Sequence, residues 1–276
     1  MGIKQSLKGT VPRFIILTNI IFLPLFLLVG LTMMLGLPTI ISDAMLCIAS
    51  WSSTFAFIIL FKRIYSRKNF VDYVKSKFRI KIKLRIVILI IIMQTLIAIL
   101  TIFMVSSRSV LIKWDFTISS FGMLGYYFLK NLFAGPLGEE LGWRGFAQNE
   151  LQKKHSPLKA SLIIGFWWGM WHLPIWFTVG YTGTNLIKYI IFFMIAIISI
   201  SVIMAAFYNL NNNLLIQIII HQLFNFFIGI TTLEVIELIK YYSILYFLVA
   251  IILIFINPSK VLYGNKVEDS TKKGDL

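Results

Sequence analysis

The sequence predicts an all-α protein, a polytopic membrane helical bundle of about eight transmembrane helices, and three observations carry that reading. Hydrophobic residues make up 58% of the chain and charged residues only 13%, with a mean hydropathy of +0.85; in soluble domains about a quarter of residues are charged. Apolar stretches long enough, or nearly so, to cross a hydrocarbon core of roughly 30 Å recur along the chain. Lysine and arginine fall in alternate connections, the pattern that marks the cytoplasmic side of a multi-span protein.

The predicted spans are Phe14 to Leu35, Thr39 to Phe61, Ile86 to Val105, Ile118 to Leu137, Ala160 to Phe177, Leu186 to Leu210, Leu214 to Ile230 and Tyr241 to Ile256. The first is longer than a signal-peptide core and lacks a clear small-x-small cleavage site, so it reads as a retained span. Between the second and third, Lys62 to Arg85 holds ten basic residues interleaved with Phe70, Val71, Tyr73, Val74, Phe78 and Ile80, which predicts a helix lying on an anionic membrane surface. Residues 1–257 read as a single bundle and 258–276 as a polar cytoplasmic tail of disordered composition.

The N-terminus (Lys4, Lys8, Arg13), the Lys62 to Arg85 connection, the group Arg144, Lys153, Lys154 and Lys159, and the tail (Lys260, Lys266, Lys272, Lys273) together hold 21 of the 26 basic residues. Both termini are therefore expected in the cytoplasm, and the Ile-, Lys- and Asn-rich composition leans toward a bacterial plasma membrane. The net charge of +15 is accounted for by topology and attraction to anionic lipid, with no nucleic-acid partner. Cys47 is the single cysteine, which leaves no disulfide framework and no cysteine-based metal cluster; it reads as a small packing residue. Met1 to Ser6 fits a loose myristoylation pattern, read as coincidence.

Chemistry concentrates where Glu139 and Glu140 sit in the predominantly apolar run Asn131 to Phe146. A carboxylate at membrane depth costs about 2.5–3.5 kcal/mol on insertion scales, so two adjacent ones mark a functional site. Polar Gln148 to Glu150 and Lys153 to Pro157 predict a turn, and beyond it comes Phe166 to Pro174 with His172. Glu139 and His172 are 33 residues apart, centred on that turn. In an antiparallel hairpin rising 1.5 Å per residue both lie roughly 15–20 Å above it, so they can meet. Glu140 and Arg144 share a helical face at the four-residue spacing of an ion pair, which reads as a buried structural brace. Glu139, rotated by about 100°, faces elsewhere without that cation and is the better base. In the run Leu214 to Ile230, His221 and Asn225 share a face by the same rule. A Glu and a His in reach of one water make a general base with its partner, and an Asn amide is a donor suited to an oxyanion.

These residues resemble the CAAX-protease and bacteriocin-processing (CPBP, or Abi) membrane family, which includes the Rce1-type prenyl-protein endopeptidases. Its motifs are matched by Glu139-Glu140 with Arg144, by Trp168 with His172, and by His221 with Asn225, all between about Pro136 and Asn225. The resemblance implies an eight-helix intramembrane endopeptidase of glutamic, metal-independent type with no cofactor. In it Glu139 and His172 activate water while His221 and Asn225 hold the oxyanion. The implied substrate is a membrane-associated peptide or lipidated protein: a leader, pheromone, bacteriocin or CAAX-like sequence. Trp168 stands where the family pattern has Phe, a departure expected to leave the chemistry untouched.

Other readings stay open. His-Glu-x-x-His, an aspartate pair within the spans and Gly-x-Ser-x-Gly are all missing, although Glu139, His172 and His221 could in principle supply three zinc ligands. A peptide-binding bacteriocin immunity protein without turnover is one alternative. A proton-coupled transporter is another, since buried carboxylates and histidines also make relays, but no paired broken helices in two matching halves are visible. His221 and Asn225 could simply hydrogen-bond across helices. Trp167, Trp168 and Trp171 read as packing or interface residues, Gly165 and Gly169 as sites of close helix approach, and Lys130 as a residue that snorkels or pairs within the bundle.

Overall fold

Each apolar run becomes a helix because backbone groups in hydrocarbon must be satisfied within the segment. The computed structural model describes residues 9–107 and 120–264. The loose lipidation pattern, the start of the fourth predicted span at Ile118, and most of the polar tail lie outside them. Helix α1 (Thr10–Met34) buries Phe14, Thr18 and Phe22 and turns Ile16, Ile20 and Leu27 outward, a face apolar enough for lipid. A break at Trp51 divides the second span into α2 (Thr39–Ser50) and α3 (Ser52–Ile64). Next come the short α4 (Phe70–Phe78) and the long α5 (Leu84–Ser106).

The segment carrying the two glutamates is not one helix. It runs as α6 (Phe121–Phe133), α7 (Pro136–Glu140), a π-helix (Leu141–Gln148) and α8 (Asn149–Leu151). The hairpin partner is α9 (Pro157–Trp171), which stops at His172 before α10 (Leu173–Trp176), with Pro174 just beyond the break. Helices α11 (Gly183–Asn211), α12 (Leu214–Gly229) and α13 (Val235–Ile256) complete the bundle.

Among the described residues five helices are long and apolar enough to cross a membrane: α1, α2 with α3, α5, α11 and α13. The other three predicted spans fall on the shorter α6, α9 and α12. The fold is a polytopic helical membrane bundle. Its centre is α11, which packs against α9 and α13, while α5 lies across α12 and α13. Gly165 and Gly169 make the α9–α11 contact possible: a Cβ on Gly165 would lie 2.9 Å from that of Ser201, and one on Gly169 would lie 2.5 Å from Met194 Sδ. Lys130 pairs with Asp43 of α2 at 2.7 Å.

The broken backbone finds its partners in side chains from the second span. Trp51 Nε1 donates to the Phe133 carbonyl (2.9 Å), Thr54 Oγ1 to that of Gly138 (2.7 Å) and Ser53 Oγ to that of Glu139 (3.1 Å). Carbonyls along the π-helix are held similarly: Asn149 Nδ2 donates to Arg144 O (2.7 Å) and the Tyr73 hydroxyl to Gly145 O (2.7 Å). The basic segment is thus more than a surface helix. Its ring at Tyr73 is buried against Phe57 and Phe61, because its hydroxyl is needed inside. Nearby, Tyr65 donates to the buried Glu150. Burial, then the neighbouring Tyr73, pushes the Tyr65 hydroxyl well above the usual tyrosine range, which keeps it a donor.

Candidate active site

Three helix interruptions position the site: Trp51, Ala134 with Gly135, and His172. Irregular backbone at membrane depth is tolerated where it is buried in protein or lines a cavity, and here a cavity of about 430 Å³ adjoins all the proposed catalytic side chains. Glu139, His172, His221 and Asn225 line it, together with Trp168 and Trp171. The remaining wall is largely apolar and includes Phe22, Phe26, Val29, Met33 and Phe193.

Glu139 is only 3% exposed, and its Oε2 accepts a 2.7 Å hydrogen bond from Trp168 Nε1. His172 closes α9, with Nδ1 2.8 Å from the Trp168 carbonyl oxygen. A carbonyl can only accept, so Nδ1 carries the proton, and in the neutral ring Nε2 is left as an acceptor. Gly135 brings Asn225 close to the acid. A Cβ there would stand 2.9 Å from Asn225 Nδ2, 3.0 Å from the Asn131 carbonyl and 3.9 Å from Glu139 Oε1.

The brace is larger than the sequence indicated. Glu140 Oε1 accepts from Arg144 Nη1 at 3.0 Å, as the four-residue spacing predicts, and also from His221 Nδ1 at 2.7 Å. Both Glu140 and Arg144 are fully buried. A carboxylate fixing Nδ1–H sets the ring's orientation and leaves Nε2 as its other functional edge. Arg144 also lies over the Trp168 ring, with Cζ 3.8 Å from the centroid, a cation–π contact.

Trp168 therefore requires a correction. It is not merely a packing residue, because its indole donates to Glu139 and its ring meets both His172 and His221, with centroids 5.8 and 4.9 Å away. The exchange of Phe for Trp also adds a hydrogen bond to the carboxylate, since Phe has no N–H to offer it. Trp171 likewise lines the cavity, whereas Trp167 is 42% exposed on the outer face. Asp43, inside the second apolar run, is not foreseen from the sequence; it holds Lys130 and Tyr126. Also unforeseen were Gly135 and the braces Trp51, Ser53 and Thr54, although a Trp-Ser-Ser-Thr string midway along an apolar span is a visible signal.

Among the described residues, no group of three or more His, Cys, Asp or Glu side chains is arranged to hold a metal ion. Both histidines direct Nδ1 at protein oxygens.

Comparison with known proteins places this region. Residues 121–227 match the family described as type II CAAX prenyl endopeptidase Rce1-like. A protein from Methanococcus maripaludis, CAAX prenyl protease 2, is 51% identical over 39 residues, 14% of this chain and 14% of that protein. The chain thus matches about a seventh of the length of that curated relative. The matched stretch, residues 121–227, contains every residue of the three motifs.

Proposed function

We propose that this protein is an intramembrane endopeptidase of glutamic type, cleaving a membrane-associated peptide or lipidated protein with water activated at Glu139. The observation that carries the reading is the convergence of Glu139, His172, His221 and Asn225 on one largely apolar cavity. Trp168 occupies Glu139 Oε2 and leaves Oε1 for a water, and His172 Nε2 accepts from the same water and orients it. As the water oxygen bonds to the scissile carbonyl carbon, Glu139 takes its proton. The carbonyl oxygen becomes an oxyanion facing Asn225 Nδ2 and His221 Nε2; the latter donates only as imidazolium. Collapse breaks the C–N bond, and Glu139 returns the proton to the departing amine, so one water is consumed and an acid and an amine are released.

The apolar wall formed by Phe22, Phe26, Val29, Met33 and Phe193 suits a substrate presented from the membrane. Residues 1–257 act as one bundle in this proposal, with both termini in the cytoplasm of a bacterial cell, since Lys62 to Arg85 and Lys153, Lys154 and Lys159 lie in or beside the connections at the end bearing the α1 N-terminus.

The test uses purified protein in detergent and a membrane-peptide library, with products read by mass spectrometry. Peptides found for the natural chain should vanish for Glu139→Gln and His172→Ala, both still monodisperse, and strong chelators should leave cleavage intact. Turnover retained by Glu139→Gln would refute the proposed base, and chelator-sensitive cleavage restored by zinc would refute the metal-free mechanism. A cellular effect preserved in Glu139→Gln would point to peptide binding without turnover.

A further inference from the structure

Away from the catalytic cavity, a cleft of about 700 Å³ opens at the end of the bundle that bears the α1 N-terminus, between the start of α5, the end of α11 and the turn after α13. Lys83 and Arg85 stand at its polar end, near Asn209, and Ile88, Leu89 and Ile92 continue it along α5. We propose that this cleft is a binding site for one anionic phospholipid, with the phosphate at the α5 N-terminus and an acyl chain along those three side chains.

Electrostatics selects the headgroup. The amino end of a helix carries partial positive charge, yet α5 has no acidic residue in its first turn and has Lys83 and Arg85 at its start. Among the described residues no carboxylate pairs with either cation, and none lines the cleft. Positive charge from side chains and backbone thus converges without a protein counter-charge. An anion relieves it, whereas the ammonium of a zwitterionic headgroup meets two cations and no acid. Asn209 adds polar character: its Nδ2 donates to Val261 O at 3.1 Å, while its buried Oδ1 has no donor among the described residues.

Apolar chemistry selects a lipid over free phosphate. Ile88, Leu89 and Ile92 are 47%, 53% and 50% exposed, on the outer face of a helix whose sequence from Ile86 to Ser106 has no charged residue. The cations sit where that helix meets the interface, the arrangement by which basic pockets between membrane helices take anionic headgroups. The cleft is preorganised: Lys83 N donates to Asn211 Oδ1 at 2.8 Å and Lys83 Nζ to Leu210 O at 3.3 Å, tying the start of α5 to the end of α11.

The test reconstitutes the full chain in vesicles containing photoactivatable phosphatidylglycerol or phosphatidylcholine, each with the reactive group in its acyl chain, and maps crosslinks by mass spectrometry. Phosphatidylglycerol should label peptides covering Ile88 to Ile92 about tenfold more than phosphatidylcholine. The Lys83→Gln, Arg85→Gln double variant should lose that preference while labelling of the outward face of α1 stays unchanged, which reports that the fold is intact. Equal labelling by both lipids would reduce the cleft to general lipid contact and overturn the proposal. A preference that survives the double variant, or one abolished by millimolar inorganic phosphate, would overturn it as well.

Discussion

Replacing Trp168 with Phe tests how the proposed base is held. The substitution keeps an aromatic ring under the Arg144 guanidinium, 3.8 Å from the present centroid, and removes the N–H that donates to Glu139 Oε2 at 2.7 Å. A hydrogen bond to a charged group contributes about 1.5–3 kcal/mol, and loss of that amount from the transition state slows turnover roughly 10- to 150-fold. Because the bond orients the carboxylate rather than the substrate, kcat and kcat/KM should fall together with KM unchanged. The assay is steady-state cleavage of a peptide identified in the library screen, on protein that elutes like the natural chain. A kcat within about twofold of the natural protein, with the fold intact, would refute the reasoning and return Trp168 to a packing role.

Glu140→Gln should be more damaging to the fold than Glu139→Gln. It leaves the fully buried Arg144 without its counter-charge and removes the anion held by His221, a loss of about 3–5 kcal/mol; thermal melting in detergent should fall sharply for the former and little for the latter, and equal melting would contradict the brace. Gly142→Ala should also destabilise, by about 1–3 kcal/mol, because the added Cβ would lie 2.6 Å from the backbone of Ser53, whereas Gly125→Ala in α6 meets nothing within 4 Å and should be neutral. Indistinguishable melting curves for the two alanine variants would show that the contact between α3 and the π-helix is looser than described.

What the sequence determined by itself was local and periodic. Hydropathy marked the helices, and spacing within one helix placed Arg144 four residues after Glu140, a pair that forms at 3.0 Å even across the entry to the π-helix. Four-residue spacing likewise set His221 and Asn225 on the same cavity, and centring on one turn brought Glu139 and His172 to it from opposite arms of the hairpin. Tertiary structure decided which distant groups complete those pairs. His221 reaches Glu140 across 81 positions, and the Trp168 indole rather than its ring alone meets Glu139. The break at Gly135 is held by Trp51, whose indole donates to the Phe133 carbonyl before it, while Ser53 and Thr54 of the same span donate to the Glu139 and Gly138 carbonyls at the entry to the π-helix. Backbone geometry fixes how residues three or four apart face one another, so sequence reveals it; the register and rotation of one helix against another follow from packing of the whole bundle, which no single segment encodes.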